Sequence, residues 1–296
     1  MRNDAHCHFF STEFFAGLAR QRARGDSVRQ LCEELQWHDP GAPEALADRW
    51  VRELDANGVA RAALIASVPG DEASVAAAIA SHPTRFVGFF MLDPSASDAA
   101  DRTRRAIGEL GLRGLCLFPA MHHVPLSDNR VHEVVEIAAG HPGAAVFVHC
   151  GVLSVGVRRK LGLPSTFDLR LGDPLGLPRL ALGYPHLPFI IPHFGAGLFR
   201  EALMAADTCA NIYLDTSSSN SWIRYTPGLT LDAVFESALS VIGAQRLLFG
   251  TDSSFFPRGW QRGIYDAQKA SLDAIGLSAE HQALIFGGNF DRLFPN

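Results

Sequence analysis

Lysine is almost missing from this chain. Of 26 basic residues only Lys160 and Lys269 are lysine; the rest are arginine. Positive charge is not in excess either. The formal charge is −5 with a pI near 6.2, which removes the electrostatic footprint of a nucleic-acid binder. The five cysteines (Cys7, Cys32, Cys116, Cys150 and Cys209) are odd in number and form no Cys-x-x-Cys pair. That excludes a disulfide framework or a thiolate zinc knot and fits a reducing compartment, so a cytoplasmic location is expected. No apolar run is long enough to span a bilayer, and "MRNDAHCHFF" lacks the basic-then-apolar pattern of a secretory signal. Neither a membrane partner nor a signal peptide is expected. No stretch is dense enough in Pro, Gly or Ser to divide the chain, so residues 1–296 are expected to form a single domain.

What is abundant is apolar sequence, 47% of the chain, enough for a sizeable core. It comes in eight short runs: "AHCHF" (5–9), "RAALIAS" (61–67), "FVGFFML" (86–92), "GLCLFP" (114–119), "AAVFVHC" (144–150), "PFIIPHF" (188–194), "NIYLDTS" (211–217) and "RLLFGTD" (246–252). They are apolar on both faces, as parallel strands covered by helices must be. Between them lie amphipathic segments that start at Asp or Ser and stop at Gly or Pro, such as "DEASVAAAIASHP" and "DNRVHEVVEIAAGHP". Strand–helix alternation repeated eight times predicts an α/β fold, a single (β/α)8 TIM barrel, which takes roughly 250 residues. The competing open sheet is disfavoured because no GxGxxG turn follows the first strand. Two connections exceed what a barrel needs, 11–44 after the first strand and 151–173 after the fifth. Both leave the carboxyl ends of strands, where barrel active sites are built, so both are candidate lid or substrate loops.

The same ends carry the chemistry. His6 and His8 share one face of the first strand, with Cys7 facing away. His149 ends the fifth run, His193 is near the end of the sixth, and Asp252 ends the eighth. A single strand-end histidine is ordinarily a satisfied core side chain. Four imidazoles and one carboxylate at one mouth are instead the donor set of a transition-metal site.

These stretches resemble the amidohydrolase superfamily, and more closely the amidohydrolase-2 branch with its aminocarboxymuconate-semialdehyde and γ-resorcylate decarboxylases, hydratases and TIM-barrel lactonases. The matching segments are "DAHCHFF", "GLRGLCLFPA" with "PLSD", "FVHCG", "LPFIIPHFGAG", "NIYLDTS", "LLFGTD" and "IFGGNFDRLF". The resemblance implies one divalent metal, zinc or alternatively manganese, on His6, His8, His149 and Asp252. It implies His193 as general acid/base or an additional ligand, with Asp252 also catalytic. A two-metal relative would need a carboxylated lysine at a strand end, and neither lysine ends a strand here.

A metal so held lowers the pKa of bound water from about 16 toward about 7, and a histidine suits proton delivery. Both hydrolysis of a lactone, ester or amide and non-oxidative decarboxylation can use these residues. The run "DSSFFP" replaces the "DYP"-like continuation of the decarboxylases, which weights hydrolysis above decarboxylation. A third reading is a barrel that binds a ligand without turning it over; the intact five-residue set argues against it. The partner is a small carboxylated or cyclic molecule. Arg170 and Arg258, in loops after the fifth and eighth strands, are the candidate carboxylate forks. His122, after the fourth strand, is a candidate pocket residue, and Phe9, Phe10, Trp222, Phe255 and Trp260 are candidate aromatic clamps. A homodimer fits the resemblance.

Overall fold

The computed structural model describes all 296 residues apart from the side chains of Ser219 and Asn220. Eight strands follow one another in chain order and every pairing is parallel. They are β1 (Asn3–Phe9), β2 (Arg61–Ala66), β3 (Phe86–Leu92), β4 (Gly114–Leu117), β5 (Ala145–Val148), β6 (Phe189–Ile191), β7 (Ile212–Asp215) and β8 (Leu247–Leu248). The chain after β8 closes the ring onto β1: Ala5 N donates to Phe249 O at 2.8 Å, His8 N to Ser253 O at 2.7 Å and Asp252 N to His6 O at 2.9 Å. The result is the expected TIM barrel.

Helices fill the connections. They are α1 (Thr12–Arg22), α2 (Val28–Leu35) and α3 (Pro43–Ala56) before β2, then α4 (Glu72–Ser81), α5 (Ala99–Gly108) and α6 (Asn129–Ala139). After β5 come α7 (Gly156–Lys160), α8 (Leu177–Gly183), α9 (Phe199–Thr208), α10 (Leu231–Ile242) and α11 (Arg262–Ala274). Their starts obey capping chemistry. Ser27 and Gln30 form a reciprocal capping box at α2, and the Thr230 hydroxyl accepts from Ala233 N at α10.

Alternation along each strand splits the core into two layers. On β2, Ala62, Leu64 and Ala66 face outward to the helices, beside Trp50, Leu54 and Val75. Ala63 and Ile65 face inward, joining Val87, Phe89, Cys116, Phe147 and Leu248 inside the barrel. The C-terminal turn plugs the lower end with Phe290 and Phe294, the latter 5.4 Å from Phe89. Gly114 makes room for this filling, because a Cβ there would stand 2.1 Å from the Phe89 ring. All five cysteines are free and buried.

The two long connections do not lie separately on the surface. Phe14, Phe15 and Leu18 of α1 and Leu31, Cys32 and Leu35 of α2 pack with Val157, Leu161 and Leu163 from beyond β5. This third cluster caps the carboxyl mouth. Arg158 fastens it by donating to Gln21 Oε1 and to the Pro164 carbonyl.

Candidate active site

β1 sets the first two ligands by an irregularity. Between Asp4 and Cys7 the pairing with β2 slips by one residue, so Ala5 and His6 stand against Ala63. Such a bulge re-aims side chains. His6 and His8 both enter the barrel mouth, while Cys7 joins Trp50 in the outer layer. Asp4, fully buried, fixes the bend. It accepts from His6 N at 2.9 Å, Thr251 N at 3.1 Å, Thr251 Oγ1 at 2.6 Å and Trp260 Nε1 at 2.7 Å. One carboxylate thereby ties the strand of His6 to the loop of Asp252.

Hydrogen bonds determine which ring nitrogen of each histidine is free. His6 Nδ1 donates to Asp215 Oδ2 at 2.6 Å. Ser67 Oγ gives its proton to the Ile65 carbonyl at 2.9 Å, so it accepts from His8 Nδ1 at 2.7 Å. His193 Nδ1 donates to the Ser217 carbonyl at 3.1 Å and meets Ser217 Oγ at 2.8 Å; the same hydroxyl lies 3.0 Å from His6 Nδ1. In all three rings Nδ1 carries the proton and Nε2 keeps its lone pair.

Those lone pairs converge. His6 Nε2 and His8 Nε2 are 3.3 Å apart with no proton between them. Asp252 Oδ1 lies 3.0 Å from His8 Nε2 and 3.7 Å from His6 Nε2. Two facing acceptors repel unless a cation joins them. Nitrogens at about 2.05 Å from a zinc ion with tetrahedral angles lie about 3.3 Å apart. The donor chemistry and spacing fit a divalent metal held by His6, His8 and Asp252. His149 stands one ring further, 5.3 Å from His193 and stacked on Phe118, and its buried Nδ1 has no partner among the described residues. His149 lies outside the tight group formed by His6, His8 and Asp252.

The electrostatics follow the burial. Burial lowers the His8 and His193 pKa values, opposed in part by Asp252, and pushes His149 well below the usual histidine value, helped by His193 and His6. For His6, burial is the largest single influence and disfavours the charge, but the carboxylates of Asp215, Asp252 and Asp4 together outweigh it and the net shift is upward. Burial works against the Asp252 charge, yet contact with His8, then with His6 and His193, holds it far below the ordinary carboxylate range.

A cavity of about 520 Å3 rises from this floor. One wall is a run of rings: Phe14 on Phe10 at 3.9 Å, Phe10 beside Trp37 at 6.1 Å, and Trp37 on Phe255 at 3.8 Å. Across it stand Met91, Phe118, Met121 and Trp222. Arg258 enters the cavity with its guanidinium 4.5 Å over Phe255, donating to Ser254 Oγ at 2.6 Å and to the Asp252 carbonyl at 3.2 Å.

Four expected contacts fall elsewhere. Arg170 points away, its side chain 90% exposed and forked onto Asp168 two residues earlier, at 2.8 and 2.7 Å. That local ion pair satisfies the guanidinium outside the cavity. His122 is half-buried against Phe118 and is not among the cavity's lining residues. Phe9 and Trp260 sit in the outer layer; Phe10, Trp222 and Phe255 line the cavity. Three residues outside the expected set hold the site: Asp215, Ser67 and Ser217. Asp215 ends β7 in "NIYLDTS", so the strand-end rule that selected Asp252 could have selected it too.

Among known proteins, the chain is 28% identical over 242 residues to the 2-keto-4-carboxy-3-hexenedioate hydratase of Sphingobium sp., covering 72% of this chain and 67% of that one. Its fold matches a probable 2-pyrone-4,6-dicarboxylic acid hydrolase from Acinetobacter baumannii with citric acid bound (TM-score 0.63, 15% identity, 100% of this chain and 99% of that one). It also matches the 5-carboxyvanillate decarboxylase of Novosphingobium aromaticivorans with bound manganese (TM-score 0.65, 17% identity, 100% and 97%). The Amidohydrolase family model matches residues 4–295, so the chain belongs to the amidohydrolase family.

Proposed function

We propose that this chain is a metal-dependent hydrolase of a small planar carboxylated or cyclic metabolite, a lactone, ester or amide. The reading rests on one observation: three tautomer-locked imidazoles, two joining Asp252 as a ligand set and the third, His193, free at Nε2. His6, His8 and Asp252, with His149, would hold the metal, zinc or manganese. Bound there, it supplies Lewis acidity toward a carbonyl oxygen and makes water acidic enough to attack at neutral pH.

The chain's own groups do the rest. Asp252 Oδ2 accepts from Ser218 Oγ at 2.7 Å, which keeps the carboxylate from turning and leaves Oδ1 toward the histidines. Burial, then His6, lowers the His193 pKa and favours the neutral ring. Its Nε2 can take a proton from water and return it to the departing oxygen or nitrogen. Arg258 anchors a substrate carboxylate, and the rings of Phe10, Trp37 and Phe255 hold a flat substrate against the wall.

Non-oxidative decarboxylation is the second reading. The apolar, ring-lined cavity favours it, because an aromatic acid would lie flat there and His193 Nε2, after taking a proton from water, could pass it to the carbon that loses CO2, the hydroxide so formed leaving with CO2 as bicarbonate. The test is a panel of lactones and aromatic carboxylates given to the metal-loaded protein, with acid and CO2 measured separately. Acid from a lactone or ester is expected. CO2 from an aromatic acid, with no acid from any hydrolysable compound, overturns hydrolysis. Replacing His193 by Gln should lower kcat by about 10²–10⁴-fold without changing metal content.

A further inference from the structure

The end of β7 reaches three members of the site from one short stretch. Asp215 Oδ2 accepts from His6 Nδ1, Ser217 meets His193 Nδ1 with both its carbonyl and its hydroxyl, and the Ser218 hydroxyl donates to Asp252 Oδ2. Ser217 is fully buried and is not among the residues lining the cavity, so it has no contact with a substrate.

The Ser217 hydroxyl is where two of these contacts meet. Its oxygen has two lone pairs. One faces His193 Nδ1 at 2.8 Å and the other His6 Nδ1 at 3.0 Å. Both nitrogens carry a proton, because one also faces the Ser217 carbonyl and the other the Asp215 carboxylate. Two rings, one from β1 and one from the turn after β6, thus hang from one atom. Their centres are 4.9 Å apart and their planes 31° apart. Both therefore turn Nε2 away from Ser217 and toward the same side, where His8 and Asp252 lie.

The hydroxyl is itself held. Ser217 N donates to Asp215 Oδ1 at 2.6 Å. The residue before it is clamped by Gln268, a fully buried side chain on α11. Thr216 Oγ1 donates to Gln268 Oε1 at 2.7 Å, and Gln268 Nε2 donates to the Thr216 carbonyl at 2.8 Å. An apolar side chain could fill that layer without the desolvation cost of an amide. The amide adds direction, which an apolar side chain would not.

We propose that Ser217 is a positioning residue for the proton-transfer ring. It suspends His193 from the same oxygen as the metal-ligand ring of His6, and Gln268, acting through Thr216, keeps that oxygen in place. This rests on the reading of His193 as the acid/base and extends it to residues that touch no substrate. Without the hydroxyl, His193 Nδ1 retains the Ser217 carbonyl at 3.1 Å, while His6 stays on Asp215.

The test is nuclear magnetic resonance of the full-length zinc-loaded protein carrying isotope-labelled histidine. A ring N–H held in a hydrogen bond exchanges slowly with water. The His193 Nδ1–H signal, assigned by its loss in His193→Gln, is expected to be single and slowly exchanging. Ser217→Ala should speed its exchange about tenfold, the effect of one hydrogen bond, and leave the His6 Nδ1–H at its wild-type rate. Gln268→Met should speed it in the same direction. Leu31→Ala, which loosens packing in the cap, should leave it unchanged. A wild-type rate for His193 in Ser217→Ala overturns the proposal. Equal acceleration in Leu31→Ala overturns it too, by making the effect general loosening. A wild-type rate in Gln268→Met overturns the clamp, and overturns the whole proposal if Ser217→Ala does not fold. No turnover enters this measurement, so its failure refutes the role of Ser217, whereas a panel that yields neither acid nor CO2 refutes the reaction.

Discussion

Asp71 carries an unusual load for a residue outside the active site. It is buried, accepts the Ser11 hydroxyl proton at 2.5 Å on Oδ2, and leaves Oδ1 with no partner among the described residues. Burial, only partly opposed by that hydrogen bond, raises its pKa from 3.8 to about 6. A carboxyl whose folded-state pKa is raised favours the fold while protonated. Its contribution is present below pH ~4 and is lost as pH rises through about 6. Asp71→Asn keeps an acceptor for Ser11 and cannot ionise. The variant should therefore exceed the wild type in stability at pH 7.5 by about 1–3 kcal/mol, with a smaller difference at pH 5. Urea unfolding at both pH values measures it; an equal difference at both would mean that the carboxylate is not desolvated in the fold. At this scale the sequence was legible where strand alternation applies. His6, His8, His149, His193 and Asp252 meet because each sits at the same end of a parallel strand. Ser67 and Ser217 were not legible, because a serine at a strand end carries no pattern that separates a histidine's partner from a turn. Arg170 misled for a related reason: its partner, Asp168, was two residues away in "FDLR".

Elements were legible as existing and illegible at their ends. Seven of the eight apolar runs contain their strands, β1 starting two residues before its run, and β5, β6 and β8 stop short of His149, His193 and Asp252. The reason is backbone geometry. His193, Phe194, Ser218 and Asp252 have φ between 49 and 59°, the left-handed region, so the strand has ended before these residues are reached. Hydrophobic pattern does not report φ. The cap shows the opposite: its helices were visible, but its cohesion needed three-dimensional contacts between residues some 130 positions apart. Because its cluster is separate from both barrel layers, the cap should loosen on its own. Leu31→Ala, at a fully buried position on α2, removes about 2–5 kcal/mol of packing. Hydrogen exchange should speed up across 12–37 and 155–163 while β1–β8 keep their protection. Uniform loss of protection would make cap and barrel one cooperative unit.

At the scale of the whole molecule, the site and the fold are the same interactions. Asp4 and Asp215 close β1 against β7 and β8 through the residues that carry His6 and Asp252. A metal on those ligands binds the folded chain and not the unfolded one, so it adds to stability by mass action. At a free concentration 100 times its Kd the gain is about 2.7 kcal/mol. Asp215 holds the His6 ring through Nδ1, the contact that orients an imidazole for a metal. Losing such a partner weakens metal affinity by about 10–100-fold. At the same metal concentration Asp215→Asn should then gain only about 0.4–1.4 kcal/mol. Thermal unfolding of stripped and zinc- or manganese-loaded protein, wild type beside variant, reads this directly. A wild-type midpoint unmoved by either ion sinks the ligand assignment. An equal gain in both proteins would instead leave the metal in place and remove Asp215 from its support.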